Sequence, residues 1–490
     1  MAVAKAKATL PDREREDFLS KFLRELHDNN AAVFVGAGLS KAAGYVDWPG
    51  LLSDIARGIG LDVARETDLV RLAQFHINAN ATNRHHLSQL LIDEFSDVKD
   101  PTENHRILAR LPISTFWTTN YDRLIEKALE AGGKRVDAKY TKDQLATTRR
   151  GRDAVIYKMH GDIEHPSQAV LSRDDYERYY QTHGPFITAL SGDLVEKTFL
   201  FLGFSFTDPN LELIMSRIRA TFTTHQRQHY CITRRRTKAK GEKEANYHYE
   251  LTRQNLITQD LMRSNIKTIF VDEYEQITGL LQTLEHRYRR STIFISGSAA
   301  DYGPWGQAAT ENFVAELSRA IIDKDLRITS GFGLGIGSAV VTGAVQQIYS
   351  TRHRSLGEQL VLRPFPIGIK EGTERTKTFT RYREELISQA GVAVFIMGNK
   401  TVGGKLVPAD GMRTEFELAK SRRLYLIPIG ASGSMAAELW NEVTSDLDQF
   451  YSGASPKIKR ALKKLGEPTE KPESLLPTVL DLISTLTTGA

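Results

Sequence analysis

The sequence predicts an α/β fold of two tandem Rossmann-like domains, each built around a parallel sheet. Short apolar runs alternate with amphipathic helical stretches, several runs end directly in glycine-rich or polar turns, and the whole pattern starts afresh past the middle of the chain. A chain of 490 residues also exceeds the size at which a single hydrophobic core stops growing. Two domains are therefore expected.

The first half opens with an amphipathic helix and a buried strand. Residues 12 to 29 place Phe18, Phe22 and Leu26 at helical spacing among charged residues. The run AAVFV (31 to 35) then predicts a buried strand, after which GAGLS turns the chain into a new helix. Further parallel strands are predicted in STFWTTN (114 to 120), AVIYKMHG (154 to 161), TFLFLGFS (198 to 205) and IKTIFV (266 to 271).

A second α/β pattern begins after the helical stretch ITGLLQTLEHRYRR. We place the boundary near 288, so the predicted domains are residues 1 to 287 and 288 to 490. STIFISGSAADYG is the first strand and turn of the second domain. It is followed by LRITSGFGLGIGSAVVTGAVQQI (326 to 348), LVLRPFPIG (360 to 368), VAVFIMGNK (392 to 400) and LYLIPIG (424 to 430).

The composition is that of a water-soluble globular protein, with 41% hydrophobic and 26% charged residues. No apolar run approaches the roughly 20 residues that span a bilayer, and the first residues lack the apolar stretch of a secretory signal. We therefore expect a cytoplasmic protein with no membrane partner. The net charge of +5 is small, and the basic run from Arg234 to Lys243 is interpreted as a solvated loop, so no nucleic-acid partner is expected.

Cys231 is the single cysteine of the chain. One cysteine excludes intramolecular disulfides and any cysteine-based structural zinc site. We expect no metal and no resident cofactor.

The turn GAGLS places Gly36, Ala37, Gly38 and Ser40 between a strand and a helix. Glycine permits a tight turn and a close backbone approach, while the N–H groups at the start of a helix attract a diphosphate. Turns of this kind also serve purely structural roles. Taken alone, the motif leaves a phosphate site and a plain turn equally open.

Asn120 and His160 each close a predicted strand. Asn120 and Asp122 can simply cap the helix that follows, and the cap is the favoured interpretation for Asp122. A lone histidine at a strand end is often structural, yet the ordinary pKa of imidazole suits His160 to accept a proton at neutral pH.

The segment GFSFTDPN gives a third strand end, with Gly203 and Ser205 expected to face the same crevice. Asp208 and Pro209 are interpreted structurally, as the N-cap and first residue of the next helix.

The motifs GAGLS, TTNYD, KMHGD followed by HPSQAVLSRDDYE, and FLGFSFTDPN together resemble the SIR2 (sirtuin-like) family, over residues 20 to 285. The resemblance implies that the GAG turn holds the NAD diphosphate and that Asn120 and His160 flank the nicotinamide ribose. It implies a wider NAD-binding set of Gly36, Ala37, Gly38, Ser40, Asp122, Gly203 and Ser205.

One departure from that family narrows the expected reaction. Protein-deacetylating sirtuins carry a four-cysteine zinc module, which a chain with Cys231 alone cannot build. Breaking the bond between nicotinamide and ribose, with water as acceptor, is the chemistry that remains. His160 is then the general base, acting on the water directly or through a ribose hydroxyl, and Asn120 fixes the water or the ribose.

The second domain holds a denser glycine turn. The run SGFGLGIGS places Gly331, Gly333 and Gly335 between a strand and a helix, which favours a phosphate site, and ISGSAAD adds Gly297 and Ser298. Charged residues on helix faces are usually solvated, so spacing alone assigns no role to Arg383, Lys400 or Glu415.

This half resembles the SLOG family, relatives of Rossmann-like nucleotide phosphoribohydrolases, but MGNKTVGGKLVPADGMRTEF keeps Glu415 without the PGG-containing loop of those enzymes. That departure favours binding over catalysis. The SIR2 and SLOG order resembles the effectors of the bacterial Thoeris anti-phage system. The resemblance implies a homotetramer that depletes NAD when SLOG binds a cyclic ADP-ribose isomer made by a TIR-domain partner. Arg383, Lys400 and Glu415 are implied activator contacts.

Two other functions stay open at the sequence level. One is a SIR2-type ADP-ribosyltransferase or deacylase acting on protein, which the missing cysteines disfavour. The other is a non-enzymatic NAD sensor whose two domains only bind nucleotides.

Overall fold

The computed structural model describes residues 10–66, 68–80, 83–206, 208–221, 226–350, 356–365 and 372–488. The chain divides into two compact units between Glu285 and His286, whereas the sequence placed the boundary between 287 and 288. In each unit the strands alternate with helices along the chain and form a parallel sheet. The predicted α/β class with two tandem Rossmann-like domains is therefore confirmed.

The first unit contains seven strands among the described residues. They are β1 (Ala31–Val35), β2 (Thr115–Thr118), β3 (Val136–Lys139), β4 (Ala154–Lys158), β5 (Thr198–Leu202), β6 (His229–Arg234) and β7 (Ile266–Val271). They form one parallel sheet in the order β3-β4-β2-β1-β5-β6-β7. The order reverses at the pair of β1 and β5, the position where ligands bind in open α/β sheets.

Helices connect these strands. They are α1 (Leu10–His27), α2 (Ala37–Lys41), α3 (Trp48–Gly58), α4 (Leu69–Ala79), α5 (His85–Ser96), α6 (Glu103–Arg110), α7 (Leu124–Ala131), α8 (Lys142–Leu145), α9 (Arg173–Glu177), α10 (Tyr179–Glu196), α11 (Pro209–Thr221), α12 (Glu244–Arg263) and α13 (Glu275–Arg290).

The core of this unit follows from the apolar central strands. Every residue of β1, β2 and β5 is buried, as expected for parallel strands covered on both faces. Phe34 of β1 stacks on Phe201 of β5 with ring centroids 5.4 Å apart. The amphipathic face predicted for the first helix is also present, because Phe18 and Phe22 of α1 are fully buried and both contact the ring of Tyr230.

The second unit has its own sheet and a hairpin. Its strands are β8 (Thr292–Ser298), β9 (Arg327–Ser330), β10 (Leu360–Leu362), β11 (Val392–Met397), β12 (Asn399–Val402), β13 (Lys405–Pro408) and β14 (Tyr425–Pro428). Five of them form a parallel sheet in the order β10-β9-β8-β11-β14, while β12 and β13 pair antiparallel. Residues 366 to 368 of the predicted segment LVLRPFPIG lie outside the described residues.

The helices of the second unit are α14 (Gln307–Asp323), α15 (Gly337–Ser350), α16 (Leu356–Gln359), α17 (Thr373–Ile387), α18 (Asp410–Ser421), α19 (Ser434–Ser445), α20 (Leu447–Phe450), α21 (Pro456–Lys464) and α22 (Leu476–Thr488). The sheet order again reverses, here at β8 and β11, which is the position where a ligand crevice is expected in the second unit as well.

Four strands were absent from the sequence prediction: β3, β6, β12 and β13. Both β3 and β6 mix polar and charged residues with apolar ones. A prediction that depends on continuous apolar runs therefore does not detect them. The hairpin has a recognisable local signal, because Gly403 and Gly404 both adopt positive φ in a two-residue turn.

Candidate functional site

Three strands of the first sheet end level with one another. β1 and β2 pair at Val35 and Thr118, and β4 joins β2 where Thr118 pairs with Lys158. Asn120 and His160 each lie two residues past these paired ends. The structure therefore brings both predicted side chains to the same edge of the sheet.

The glycines of the first turn pack against β5. The N–H groups of Gly36 and Gly38 donate to the carbonyl oxygens of Leu202 and Gly203, each at 2.9 Å. A Cβ atom on Gly203 would lie 2.3 Å from the backbone nitrogen of Leu39, and Gly203 has a φ of +63°. Packing between β1 and β5 therefore requires these glycines. The N–H groups of Gly36 and Gly38 are both paired with backbone carbonyl oxygens at the end of β5.

Asn120 belongs to a buried chain of hydrogen bonds. Its Nδ2 donates to the Oγ of Ser40 at 2.8 Å, and that hydroxyl donates to Oδ2 of Asp122 at 2.7 Å. Oδ1 of Asp122 accepts the N–H of Leu124, the first residue of α7, at 2.9 Å. Asp122 thus makes the expected helix-start contact and also orients Ser40.

A small cavity of about 40 Å³ lies beside Asn120. Ala37, Ser40 and Asp122 line it, as do Tyr45 and Trp48, which the sequence analysis did not single out.

Lys158 supports the loop that carries Asn120. The side chain is fully buried, and its Nζ donates to the carbonyl oxygens of Tyr121 and Asp122 at 3.1 and 2.6 Å. It also pairs with Glu126 at 3.1 Å and with Asp162. Burial alone would lower the pKa of Lys158, but the two carboxylates outweigh burial and raise it above its ordinary value.

His160 is 2% exposed and pairs with Asp208. Its Nε2 lies 2.9 Å from Oδ2 of Asp208 and 3.4 Å from the hydroxyl of Tyr176, which itself donates to Oδ2 of Asp208 at 3.1 Å. Asp208 also accepts the N–H groups of Asn210 and Leu211 at the start of α11. Asp208 therefore makes the predicted N-cap through Oδ1. Capping alone does not account for Oδ2, which contacts His160.

The described residues contain no hydrogen bond between Asn120 and His160. Lys158 connects their loops, because it binds the carbonyl oxygens that follow Asn120 and the Asp162 carboxylate that follows His160. Ser205 is an exposed residue of the segment between β5 and α11.

The glycines of the second unit also interlock. A Cβ atom on Gly333 would lie 1.9 Å from the carbonyl oxygen of Gly297, and one on Gly335 would lie 2.5 Å from that of Ala299. Gly331 faces the ring of Phe365, with a Cβ to Cε2 separation of 2.9 Å. The two predicted glycine turns therefore lie together at the ends of β8 and β9.

Glu415 and Arg383 meet beside the first of these turns. Oε2 of Glu415 accepts the hydroxyl of Ser296 at 2.6 Å, and Oε1 lies 3.4 Å from Nε of Arg383. Burial raises the pKa of Glu415, although Ser296 and Arg383 oppose that effect. The guanidinium of Arg383 also lies 4.8 Å from the ring centre of Phe365. Sequence reasoning missed Ser296 and Phe365, which carry no motif of their own.

Lys400 lies on β12 of the hairpin and not on a helix, and it pairs with Asp410 at the start of α18. The neighbouring Asn399 is buried. Its Oδ1 accepts the N–H groups of Ala300 and Asp301 at 2.8 and 3.0 Å, and Ser298 donates to its carbonyl oxygen at 3.1 Å. Asn399 therefore joins the hairpin to the turn after β8.

The described residues contain no group of three or more histidine, cysteine, aspartate or glutamate residues placed to hold a metal ion. Within the same ranges, no helix is long and apolar enough to cross a membrane.

Comparison with known families matches both halves of the chain. Residues 276–486 match the Sir2- and TIR-associating SLOG family, and residues 114–255 match a SIR2-like domain.

Three similar proteins are named NAD(+) hydrolase ThsA. The chain is 48% identical to the protein of Bacillus cereus strain MSX-D12 over 96% of this chain and 98% of that one. It is 47% identical to the protein of Acinetobacter baumannii strain 532279, over 96% and 99%. It is 42% identical to the protein of Enterococcus faecium, over 95% and 98%.

Proposed function

This chain belongs to the family of the ThsA NAD(+) hydrolases, and from that premise we propose that it cleaves NAD beside Asn120 and His160 under the control of a nucleotide bound in its SLOG domain. The chain is thus an NAD(+) hydrolase with a SIR2-like domain followed by a SLOG domain. One observation carries the assignment of the site: Asn120 and His160 follow level strand ends, and both are buried and hydrogen-bonded.

The reaction breaks the bond between the nicotinamide nitrogen and C1′ of the ribose. Nicotinamide leaves as a neutral molecule with the bonding electrons, and C1′ develops oxocarbenium character. A water oxygen then bonds to C1′, and His160 takes the proton, so the products are nicotinamide, ADP-ribose and a proton. General-base catalysis of this kind contributes about 10² to 10⁴ in rate.

Asn120 orients the reacting groups in this scheme. Its Nδ2 is directed by Ser40, which is in turn directed by Asp122, so the amide has a fixed orientation before the substrate arrives. We assign NAD contacts to the residues around this chain and the first glycine turn: Gly36, Ala37, Gly38, Ser40, Asp122, Gly203 and Ser205.

The activator site belongs to the crevice of the second unit. A guanidinium and an ammonium suit a diphosphate, and a carboxylate accepts ribose hydroxyls. Arg383 and Glu415 lie together there, while Lys400 stands on the adjoining hairpin. We assign the activator, a cyclic ADP-ribose isomer, to these three residues and to the turns of Gly297, Ser298, Gly331, Gly333 and Gly335.

The proposed biological role depends on a hydrolase that is active only when a nucleotide is bound in its SLOG domain. The matched SLOG family is described as associating with Sir2 and TIR domains, which supports a TIR-domain protein as the source of the cyclic nucleotide. Activation then depletes cytoplasmic NAD during phage infection, with the chain acting as a homotetramer.

The test is turnover by the purified full chain. Incubation with NAD, with and without cyclic ADP-ribose isomers, is followed by chromatography of nicotinamide and ADP-ribose. We expect release that depends on the isomer and is lost in Asn120→Ala and His160→Ala. No turnover with any isomer, or full turnover in His160→Ala, would contradict the proposal.

A further inference from the structure

The two oxygens of the Asp208 carboxylate have different partners. Oδ1 accepts the N–H groups of Asn210 and Leu211 at 2.9 and 3.0 Å, which is what an N-cap requires. Oδ2 lies 2.9 Å from Nε2 of His160 and accepts the hydroxyl of Tyr176 at 3.1 Å. A capping role explains the first oxygen and leaves the second unexplained.

The contact between Asp208 and His160 determines where the imidazole carries its proton. Burial would raise the pKa of Asp208, but His160 and the hydrogen bonds to the carboxylate outweigh burial and hold that pKa below its ordinary value. An ionised carboxylate can only accept hydrogen bonds, so Nε2 of His160 must be the N–H donor. A neutral imidazole has one N–H group, and its lone pair is therefore on Nδ1.

Nδ1 of His160 is buried and has no hydrogen-bond partner among the described residues. Buried polar atoms in folded proteins are nearly always paired, and an exception calls for an explanation. Acceptance of a proton from a bound molecule during the reaction would explain the unpaired Nδ1.

We propose that Asp208 is a positioning residue that fixes the tautomer of His160, so that Nδ1 is the atom that takes the proton of the attacking water, and that Asp208 stabilises the imidazolium then formed. This inference rests on the proposed hydrolysis of NAD. It names the basic atom and adds a residue whose local sequence context suggests only a helix cap.

The aromatic side chains around His160 carry no charge at neutral pH. Tyr176 and Tyr179 contact the imidazole edge-on, with ring centres 5.5 and 6.4 Å away, and burial raises the pKa of both phenols. Burial and the nearby His160 lower the pKa of His183 to about 4. Asp162, two residues along, is paired with Lys158. The negative charge that faces the imidazole therefore belongs to Asp208.

The experiment replaces Asp208 with residues that keep the cap and remove the charge. Asparagine and serine are both good N-caps, so Asp208→Asn and Asp208→Ser preserve the start of α11. With NAD and the activating isomer, we expect kcat to fall about 100-fold with KM changed less than about threefold. The acid limb of the pH profile of kcat should also move to lower pH, because the variants lack the carboxylate that faces the imidazole.

Two controls separate this role from a structural one. Asp68 caps α4 with its Oδ1 on the N–H of Arg71 and lies on the surface, so Asp68→Asn should keep wild-type rates. Tyr176→Phe leaves the cap intact and removes a hydrogen bond to Oδ2 of Asp208. The carboxylate then holds the imidazolium more strongly, and the acid limb should move to higher pH with less than a tenfold loss of kcat.

Wild-type kcat and an unmoved acid limb in both Asp208 variants would reduce Asp208 to a cap and overturn the proposal. If both Asp208 variants fail to fold, Tyr176→Phe provides the test. An acid limb of the pH profile that does not move in Tyr176→Phe would exclude control of His160 through Asp208. An inactive wild-type chain would instead contradict the proposed hydrolysis of NAD.

Discussion

The carbonyl oxygen of Gly203 lies 2.4 Å from the position that a Cβ atom would occupy on Gly36. Gly36→Ala must therefore push β1 and β5 apart, and we expect it to destabilise the SIR2-like domain by about 3 kcal/mol. Hydrogen exchange of the β1 and β5 peptides in the full chain measures the effect. Gly192→Ala within α10, where nothing lies within 4 Å of the added Cβ, should instead stabilise the helix by up to about 1 kcal/mol. Equal protection in both variants would contradict this account.

Ser40 directs the amide of Asn120, so Ser40→Ala should slow NAD hydrolysis while the fold persists. The variant leaves Nδ2 of Asn120 without its acceptor at 2.8 Å, and a misplaced reacting group costs about 10- to 100-fold in rate. Initial rates with saturating isomer measure the change. Ser96→Ala, which alters an exposed hydroxyl at the end of α5, is the matched control. A Ser40→Ala enzyme as fast as that control would argue against the orienting role.

Lys158 compensates two buried carboxylates, and Lys158→Met should destabilise the domain by about 3 to 5 kcal/mol because Glu126 and Asp162 lose their cation. Adding Glu126→Gln to the same chain removes one uncompensated charge and should recover part of the loss. Denaturant unfolding of the three proteins provides the comparison. No difference between the single variant and wild type would show that the pairing is dispensable.

Acid should weaken the domain through His229. Burial and the nearby Arg227 lower the pKa of this histidine to about 4, and its Nδ1 accepts the N–H of Phe199 at 3.1 Å. Since the unfolded chain binds the proton below its ordinary pKa near 6.5, this contribution to stability is present above pH 6.5 and is lost as the pH falls. Between pH 7 and pH 5 the loss is about 2 kcal/mol.

His229→Gln keeps an acceptor for Phe199 without the titration, so its stability should fall by about 2 kcal/mol less over that range. Hydrogen exchange of the β5 and β6 peptides at both pH values tests this, and His85→Gln at an exposed histidine is the control. Identical pH dependence in wild type and His229→Gln would rule the explanation out.

We expect Asp410 to compete with an anionic nucleotide for Lys400. Its hydrogen bond to Lys400 lowers the pKa of Asp410, so the ion pair is formed at neutral pH. Asp410→Asn should therefore tighten binding of a cyclic ADP-ribose isomer by about two- to fivefold at low salt. The gain should shrink in 1 M salt, where charges are screened. Calorimetric titration measures it, with Asp448→Asn at the equally exposed pair to Lys459 as control.

Buried central strands were the part of the fold that the sequence predicted well. AAVFV coincides with β1, and the run TFLFL at the start of TFLFLGFS coincides with β5, because nearly uninterrupted apolar runs between turns leave few alternatives. β3 was missed because its Asp137 and Lys139 are buried through partners supplied by the fold, among them Arg152. A short strand whose charges are satisfied by distant residues has no local signature.

Some parts of the candidate site are likewise visible in the sequence, and others appear only in the folded chain. Asn120 and His160 are visible in the sequence because each follows an apolar run. The second role of Asp208 is not, because a helix cap explains that residue fully on local grounds, while its contact with His160 exists only after β4 and α11 come together. The phosphate contacts of the glycines stay a prediction, and the structure adds a packing role that the sequence did not reveal, because their missing side chains make room for neighbouring backbone.

The pocket beside Asn120 also bears on how the enzyme discriminates among substrates. Its lining combines the polar side chains of Ser40, Asn120 and Asp122 with the rings of Tyr45 and Trp48. Substitutions that trim Trp48 or Tyr45 would change the shape of the pocket and leave the hydrogen-bond chain of Asn120 intact. New substrate preferences can therefore arise at residues that take no part in the chemistry.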